Sequence, residues 1–264
     1  MFLLKEFYPK KIKKFSILNS RKRFKNKKNK NLIFLLEKRF IWMNEYIKNK
    51  KNIIELGSGN GASKKILNNK NILLTDIQKY PWIEKKLDMR KINLSKKHIK
   101  KVDIFIINTA LHHCSNPAKL LKDISIYLKK DGYVLINDPE ISFFMKCVLF
   151  FLNHEGWSLN VNVFNKKKDI FKSDSPWSAN NAVGRLLFNN EDKFHSYFTE
   201  YKIIKNNLSE FFVFLNSGGV ITETFHIPVN KSLFNLLNFI DNILIFFMPS
   251  IFALNRSVVL KKIK

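Results

Sequence analysis

The stretch Asn52-Ile53-Ile54-Glu55-Leu56-Gly57-Ser58-Gly59-Asn60-Gly61-Ala62 decides the fold of this chain. Residues 52–56 are mostly apolar and short enough to form a buried strand. A glycine-rich turn follows, and residues 63–67 (SKKIL) are typical of the start of a helix. Because glycine lacks a Cβ, such a turn lets the backbone approach a nucleotide-like ligand closely. The stretch therefore predicts a strand–loop–helix unit that binds a ligand of this kind.

Two classes of ligand fit this loop. Gly57, Gly59 and Ala62 have the spacing of a dinucleotide-binding fingerprint. Glu55, however, places a carboxylate at the end of the strand, where it would repel a pyrophosphate. A ligand with an amino group and a sulfonium charge would suit that carboxylate better. An ordinary tight turn without a ligand is the third alternative.

Residues 52–140 alternate between strand and helix patterns. After the first strand, further strands are predicted at 72–75, 103–108 and 133–136, with a helix at 117–129 and an earlier one at 31–48. This alternation predicts a doubly wound α/β sheet that binds ligands at the carboxyl ends of its strands.

The alternation weakens after residue 140. Residues 141–152 are apolar, 161–182 are polar and loop-like, and 211–215 (FFVFL) have the composition of a strand. Residues 233–254 are apolar but interrupted by polar residues, which predicts a helical hairpin or an interfacial helix. We therefore expect three parts: a basic arm at 1–30, a core at 31–140 and a C-terminal α+β cap at 141–264.

The net charge suggests an anionic partner without identifying one. The chain has 264 residues, 45% of them apolar, and a formal net charge of +26 from 47 basic and 21 acidic residues. Only 6 of the basic residues are arginine, which base-reading proteins favour, so no specific nucleic-acid partner is expected. The lysine excess fits either codon usage in an AT-rich genome or attraction to an anionic surface such as a membrane.

The N-terminal region and the cysteines bear on localisation. Residues 1–30 contain 12 basic residues and one acid, interleaved with aromatic residues, which predicts a solvated arm, a lid or a membrane-surface segment. Cys114 and Cys147 do not suggest a disulfide framework, and no secretory signal is visible. No apolar run reaches the roughly 18 residues of a membrane span. We expect a cytoplasmic protein, peripheral at the inner membrane face if the arm binds lipid.

Two strand ends carry acids with plausible roles in binding. Asp76 follows Gly57 by nineteen residues and ends the second predicted strand, where a carboxylate can accept both hydroxyls of a ribose. Asp88 and Met89 precede the next strand, so the carboxylate could take an adenine amino group while Met89 backs the ring. A helix-capping Asp76 and an ordinary loop acid at 88 are the structural alternatives.

The order of these motifs resembles the type 11 group of class I S-adenosylmethionine (SAM) dependent methyltransferases. The matching segments cover about residues 50–140 and read ELGSGNG, LLTD, LDMR, DIFIINTALHH and LKKDGYVLINDPE. The resemblance implies a Rossmann-like sheet with helices on both faces, and SAM as the cofactor. Residues 140–260 look like methyltransferases of bacterial surface-polysaccharide biosynthesis, which implies a sugar or lipid-linked saccharide acceptor.

The resemblance also implies roles for individual residues. The predicted cofactor-binding residues are Glu55, Gly57, Ser58, Gly59, Gly61, Asp76, Ile77, Asp88, Met89 and Asn108. Glu55 and the glycines would hold the methionine end. Asp76 would hold the ribose, and Asn108 would lie beside the sulfonium.

A histidine pair is the candidate for acceptor chemistry. Transfer to an alcohol needs alignment and a base, and His113 is predicted as that base because the second histidine matches the family motif better. Predicted substrate contacts are His112, His154, Ser178 and Asn180. Adjacent helical residues point about 100° apart, so we expect the pair to bind no metal and His112 to point away from the acceptor.

Other functions remain open at this stage. The apolar cap also fits a lipid or quinone-like acceptor, and the charge fits an RNA methyltransferase. A membrane-binding scaffold with a degenerate SAM fold is the non-enzymatic alternative. The sequence does not give the acceptor atom or the oligomeric state.

Overall fold

The computed structural model describes residues 5–9, 16–153, 155–173 and 175–264. A seven-stranded mixed sheet forms its centre, in the order β4-β3-β2-β5-β6-β9-β8. These strands are β2 (Ile53–Leu56), β3 (Ile72–Asp76), β4 (Lys85–Lys86), β5 (Val102–Asn108), β6 (Leu128–Pro139), β8 (Tyr201–Ser209) and β9 (Asn255–Lys262). Strands β4, β3, β2, β5 and β6 are parallel, whereas β9 is antiparallel to both β6 and β8. This arrangement confirms the predicted α/β fold class.

Helices lie along both faces of the sheet. Before β5 they are α1 (Ile17–Asn26), α2 (Lys30–Ile41), α3 (Asn44–Ile47) and α4 (Ser63–Ile66). The later helices are α5 (Pro117–Tyr127), α6 (Phe143–Leu152), α7 (Val183–Phe188), α8 (Glu191–Tyr197), α9 (Phe212–Leu215), α10 (Lys231–Phe247) and α11 (Pro249–Phe252). A two-stranded antiparallel pair, β1 (Glu6–Phe7) and β7 (Trp157–Ser158), joins the N-terminal segment to the C-terminal half. None of the helices in the described ranges is both long and apolar enough to cross a bilayer.

The parallel strands are buried on both faces, as their sequences predict. All four residues of β2 are buried, and so are six of the seven residues of β5. One apolar cluster, which includes Phe105, Ile107 and Leu121, packs on one face, and a second, which includes Leu36, Phe40 and Ile104, packs on the other. A parallel sheet covered in this way presents its strand ends, rather than its faces, to a ligand.

Two strands of the sheet come from residues predicted as a separate cap. β8 and β9 insert beside β6, so the sheet extends beyond the predicted 31–140 core. Within β9, Arg256 is buried, and its Nε donates to Glu140 Oε2 at 2.7 Å. This ion pair ties the last strand to the segment that leaves β6.

The prediction of a strand at 211–215 is wrong. These residues form α9, because the buried carboxylate of Asp241 accepts the backbone N–H groups of Phe211, Phe212 and Val213 at 2.8–3.2 Å. An acceptor at these amides satisfies groups that a helix start leaves unpaired. Asp241, which interrupts the apolar 233–254 segment, therefore has a structural role in joining α10 to α9.

Part of the predicted basic arm is folded. Helix α1 buries Phe24, and Arg23 donates to the carbonyl oxygens of Gly218, Val220 and Ile221 at 3.0–3.1 Å. Residues 10–15 of the arm lie outside the described residues. The described end of the arm therefore packs on the protein instead of extending into solvent.

A buried ion pair connects α2 to the end of β8. Arg39 and Glu210 are 4% and 1% exposed, and Arg39 Nη2 lies 2.7 Å from Glu210 Oε2. Arg39 Nε donates to both carboxylate oxygens at 3.1 Å. Because both groups are desolvated, neither tolerates the loss of its partner.

We predict that Arg39→Met lowers the free energy of unfolding by about 3–5 kcal/mol, because it leaves the Glu210 carboxylate buried without its cation. Adding Glu210→Gln to that variant should restore part of the loss, since the unpaired charge is removed. Urea unfolding of the two variants and the wild type measures both effects. A loss below about 1 kcal/mol in Arg39→Met would show that the pair is not a major stabilising contact.

Candidate active site

The glycine loop after β2 forms one end of a cavity of about 720 Å³ at the carboxyl ends of the parallel strands. Gly57 has φ +67°, and a Cβ on it would lie 2.6 Å from Ala110 Cβ. Gly61 has φ +68°, and a Cβ there would lie 2.8 Å from Trp82 Cδ1. Both positions therefore require glycine for backbone conformation and for space. Gly57, Ser58 and Gly59 line the cavity, whereas Gly61 supports the loop behind them.

Two carboxylates stand at the ends of adjacent strands and line this end of the cavity. Glu55 is buried, accepts a hydrogen bond from the Ser63 hydroxyl, and has its pKa raised to about 7, chiefly by burial. Asp76 accepts the N–H groups of Gly59 and Gln78 at 2.9 and 3.0 Å. Burial raises the pKa of Asp76, although those backbone hydrogen bonds oppose the shift. Neither acid has a salt bridge to a basic side chain within the described part of the chain.

Asp88, in contrast, has a cationic partner. Arg90 Nε donates to both Asp88 oxygens at 3.0 Å, and its Nη2 lies 2.6 Å from Oδ2. Burial acts in the opposite direction, but the hydrogen bonds from Arg90 hold the pKa of Asp88 below its usual value. Arg90 Nη1 also donates to the Ser173 hydroxyl at 3.0 Å, which joins this turn to the C-terminal half. Met89 lies between Asp88 and Arg90 in the sequence, and its side chain lines the cavity beside Gly57.

Asn108 ends β5 inside the cavity. Its Nδ2 donates to Thr109 Oγ1 at 3.3 Å, while its buried Oδ1 has no hydrogen-bond partner among the described residues. A buried acceptor without a donor is costly, so a ligand with an N–H or a positive charge suits this position. Ile77 lines the same end of the cavity, next to Asp76.

Helix α1 covers the loop from outside. Ile17 lines the cavity, and a Cβ on Gly59 would lie 3.9 Å from its Cδ1. The Arg21 guanidinium lies 4.0 Å from the centre of the Trp82 ring and donates to Asn60 O. The described end of the basic arm thus forms a wall of the cavity, which agrees with the lid alternative.

His112 belongs to a buried charge network at the far end of the cavity. A 3-10 helix at Leu111–His113 places its Nδ1 2.8 Å from Asp138 Oδ1 and its Nε2 3.5 Å from Glu155 Oε2. Burial alone would lower the pKa of His112, but the two carboxylates raise it to about 10. The ring is therefore a cation at neutral pH and cannot accept a proton.

His113 has a different environment. Its Nδ1 lies 3.1 Å from the carbonyl oxygen of Ser178, and its Nε2 lies 3.6 Å from Glu155 Oε1. Because a carbonyl oxygen only accepts hydrogen bonds, Nδ1 carries a proton, which leaves Nε2 as the nitrogen that can act as a base. The side chain is 20% exposed and lines the cavity. Glu155 stands where it would stabilise the imidazolium form.

The expectation that the two histidines diverge is wrong. Their ring centroids lie 4.2 Å apart, and both Nε2 atoms approach the carboxylate of Glu155, which therefore brings the two rings together. His112, His113 and Glu155 bring three potential metal-ligand atoms within 4.8 Å of one another. A metal needs a deprotonated imidazole nitrogen, so the raised pKa of His112 opposes coordination near neutral pH.

The remaining predicted substrate residues lie behind the histidines. Ser178 and Asn180 are buried outside the cavity lining. Asn180 N donates to His112 O at 2.8 Å, and its side chain bonds the backbone of Ser158 and Ala182. Both residues thus hold the histidine turn from outside the cavity. His154 lies outside the described residues.

An apolar wall encloses the space in front of His113. It is formed by Phe144, Val148, Leu149, Phe151 and Leu152 of α6, together with Phe214 and Leu215 of α9. The cavity therefore has a polar end, built from strand-end carboxylates and the glycine loop, and an apolar end beside the histidines.

Sequence reasoning assigned no role to Asp138 and considered Glu155 only with His154, as a second candidate pair. Asp138 ends β6 within the DPE motif, and Glu155 follows the apolar helix α6. An acid at each place was visible in the sequence. Asp138 reaches His112 because β5 and β6 are adjacent parallel strands, whereas the contact of Glu155 with His112 depends on how the C-terminal half folds over the sheet.

The geometry agrees with what comparison with known proteins finds. A family described as a methyltransferase domain matches residues 21–200. A SAM-dependent methyltransferase from Archaeoglobus fulgidus is similar in structure, with a TM-score of 0.50, 15% identity, and coverage of 86% of this chain and 93% of that one. No curated protein sequence matches the chain.

Two further solved structures are more distant. The YcgJ protein of Bacillus subtilis has a TM-score of 0.44 and 11% identity, covering 84% of this chain and 97% of that one. The plantazolicin methyltransferase BpumL has a TM-score of 0.44 and 15% identity, covering 94% and 91%. Because the family match spans more than half of the chain and includes the glycine loop, both histidines and Glu155, this chain belongs to the methyltransferase domain family.

Proposed function

We propose that this protein transfers a methyl group from SAM to an oxygen atom of a sugar or lipid-linked saccharide, with His113 as the general base. One observation carries the proposal. A single cavity joins a carboxylate-lined glycine loop to a histidine whose basic nitrogen lies beside a buried carboxylate. The finer assignment, to cell-surface polysaccharide, rests on the sequence resemblance of residues 140–260.

The polar end of the cavity fits SAM. When bound, SAM supplies an electrophilic methyl group on a sulfonium. Glu55 and the Asn108 carbonyl oxygen would hold the positively charged methionine end, since both are buried and lack a cationic partner among the described residues. Asp76 would accept the ribose hydroxyls on the lone pairs that Gly59 and Gln78 leave open.

The adenine contact is the least direct. Asp88 is engaged by Arg90, so an adenine amino group would share the carboxylate with that guanidinium. Met89 and Ile77 supply apolar surface for the ring.

The histidine end would prepare the acceptor. His113 Nε2 takes the hydroxyl proton, and Glu155 stabilises the resulting imidazolium. His112 remains cationic between Asp138 and Glu155, and its contact with Glu155 fixes the direction of that carboxylate. Alignment within the enclosed cavity supplies most of the remaining rate enhancement.

The apolar wall supports an amphipathic acceptor. A hydroxyl group must reach His113, whereas the surrounding side chains of α6 and α9 favour a hydrocarbon portion. A lipid-linked saccharide satisfies both demands. A lipid or quinone-like molecule without a sugar satisfies them less fully and is the second candidate. We further propose that the enzyme works at the cytoplasmic face of the membrane.

We predict that affinity for SAM rises with pH through Glu55. In the free protein Glu55 has a pKa of about 7, so below that pH it is mostly neutral, and binding a cationic ligand must expel its proton. Above pH 7 Glu55 is mostly ionised before SAM binds, so binding no longer requires the loss of that proton. Isothermal titration calorimetry should show affinity rising roughly tenfold or more between pH 5.5 and 7.5.

Glu55→Gln is the matched variant, since it keeps the shape and removes the titration. Titrations at pH 6 in two buffers of different ionisation enthalpy should detect proton release in the wild type and little in the variant. Equal proton release in both proteins would place the titrating group elsewhere.

We predict that His113→Gln lowers turnover about 10²–10⁴-fold while SAM affinity stays within about twofold. The assay follows tritium from the SAM methyl group into three separate pools: lipid-linked saccharides extracted from bacterial membranes, sugar-free lipids including quinones, and total tRNA. His98→Gln, on the opposite edge of the sheet, is the control and should behave as the wild type.

Label in the saccharide pool that depends on His113 supports the proposal. Label found only in sugar-free lipid, or only in tRNA, would show that the acceptor belongs to that class instead of the saccharides. Binding of SAM without transfer to any pool would favour the scaffold alternative. Full activity in His113→Gln would show that His113 is not the general base.

A further inference from the structure

The outward side of α10 carries an apolar stripe, bordered by the exposed Ser232, Asn235 and Asn242. The helix buries Phe234, Asp241 and Ile245. Its exposed apolar residues are Leu233, Leu236, Phe239, Ile243, Phe246 and Phe247, the last two 80% and 72% exposed. They recur at helical spacing, so they form one continuous stripe. An exposed apolar patch of this extent marks an interaction surface.

Helix α9 packs against the buried side of α10. Helix α9 is attached to α10 through the bonds of Asp241 to its first amides. Leu215 of α9 and Phe151 of α6 are 37% and 74% exposed, and both also line the cavity. The rim of the cavity therefore also carries exposed apolar side chains.

Basic residues flank the other end of the stripe. Residues 22–30 include the exposed lysines Lys22, Lys25, Lys27, Lys28 and Lys30. The loop that leads to α10 is joined to this region, because Asn31 Nδ2 donates to the carbonyl oxygens of Asn216 and Ile227 at 2.7 and 2.8 Å. That loop exposes Phe225 (86%) and Ile227 (63%). Exposed lysines and exposed aromatic and aliphatic side chains thus lie side by side.

We propose that this surface, called the docking face, binds the interface of an anionic phospholipid bilayer. The docking face consists of the α10 stripe, Phe225, Ile227 and the lysines of residues 22–30. Apolar side chains enter the boundary between headgroups and acyl chains, while the lysines attract the anionic headgroups. The inference develops the sequence prediction of a basic arm and an interfacial segment at 233–254 by placing both on one folded surface.

Charge favours a bilayer over a second copy of the chain. Each copy carries a net charge of +26, so pairing two docking faces would bring like charges together. An anionic surface, in contrast, attracts the lysines of the docking face. The stripe itself offers no charged side chain beyond Lys231 at its start, so it has no ion-pair pattern for a specific protein partner. The boundary between headgroups and acyl chains of a bilayer accepts an apolar stripe without such a pattern.

Docking would bring the protein to the surface that holds lipid-linked acceptors. Such an acceptor would then be close to a cavity whose rim carries the exposed side chains of Phe151 and Leu215. This consequence for the acceptor rests on the proposed function. The docking itself does not, because vesicle binding is measured without methyl donor or acceptor.

The test is cosedimentation with vesicles of pure phosphatidylcholine and of phosphatidylcholine with 30 mol% phosphatidylglycerol. The wild type should partition at least about tenfold more onto the anionic vesicles, and added salt should weaken binding. Phe246→Ser/Phe247→Ser should lower that binding at least about tenfold. Lys27→Glu/Lys28→Glu should lower it and reduce its dependence on salt.

Matched controls lie on the opposite edge of the sheet. Ile99→Ser/Ile126→Ser removes two exposed apolar side chains of neighbouring segments, joined by the bond from Lys100 N to Ile126 O. Lys96→Glu/Lys97→Glu makes the same charge change away from the docking face. Both controls should bind vesicles within about twofold of the wild type. Circular dichroism and S-adenosylhomocysteine calorimetry establish that every variant is folded.

Vesicle binding by Phe246→Ser/Phe247→Ser equal to that of the wild type would overturn the docking face. Sedimentation equilibrium that shows a wild-type dimer dissociated by the same variant would assign the face to self-association instead. Failure to bind S-adenosylhomocysteine in a wild type that still binds vesicles would contradict the proposed function alone.

Discussion

The contact between Asp138 and His112 determines the chemistry of the acceptor end. The two atoms lie 2.8 Å apart, and both side chains are almost fully buried. A carboxylate there keeps the imidazole cationic, and that cation in turn stabilises Glu155, which would otherwise be a buried acid beside a neutral ring. Glu155 then faces His113. Asp138 therefore acts on the surroundings of the half-buried His113 through His112 and Glu155.

This contact depends in turn on the sheet. Asp138 is in register with Arg256 of β9, so the strand end that carries it is held between β5 and β9. The C-terminal strands are consequently part of the site, although none of their residues reaches the histidines. The carboxylates at the two ends of the cavity differ in their partners. Glu55 and Asp76 have no salt-bridge partner among the described residues, which suits a cationic ligand, whereas Glu155 lies beside the cationic ring of His112.

Local patterns were sufficient to predict the first half of the sheet. The buried run before Gly57, the positive-φ glycines and the acid that ends β3 are encoded within a few residues, so their positions follow from sequence. The strands β8 and β9 were missed because β8 (YKIIKNNLS) mixes apolar residues with lysine and asparagine without regular alternation, and β9 (NRSVVLKK) has a short apolar run between basic residues of the same strand. FFVFL was predicted as a strand because the helix start is fixed by Asp241, about thirty residues later in sequence. The pairing of His112 with Glu155 is likewise a long-range contact that spacing does not reveal.

The most direct test of a cavity with a SAM end and a base end is a crystal structure with SAM bound. We predict that the ribose hydroxyls contact Asp76, that the methionine amino group lies beside Glu55 or Asn108, and that the methyl group faces the space in front of His113. A ligand bound away from the glycine loop, or a methyl group directed away from His113, would contradict this assignment.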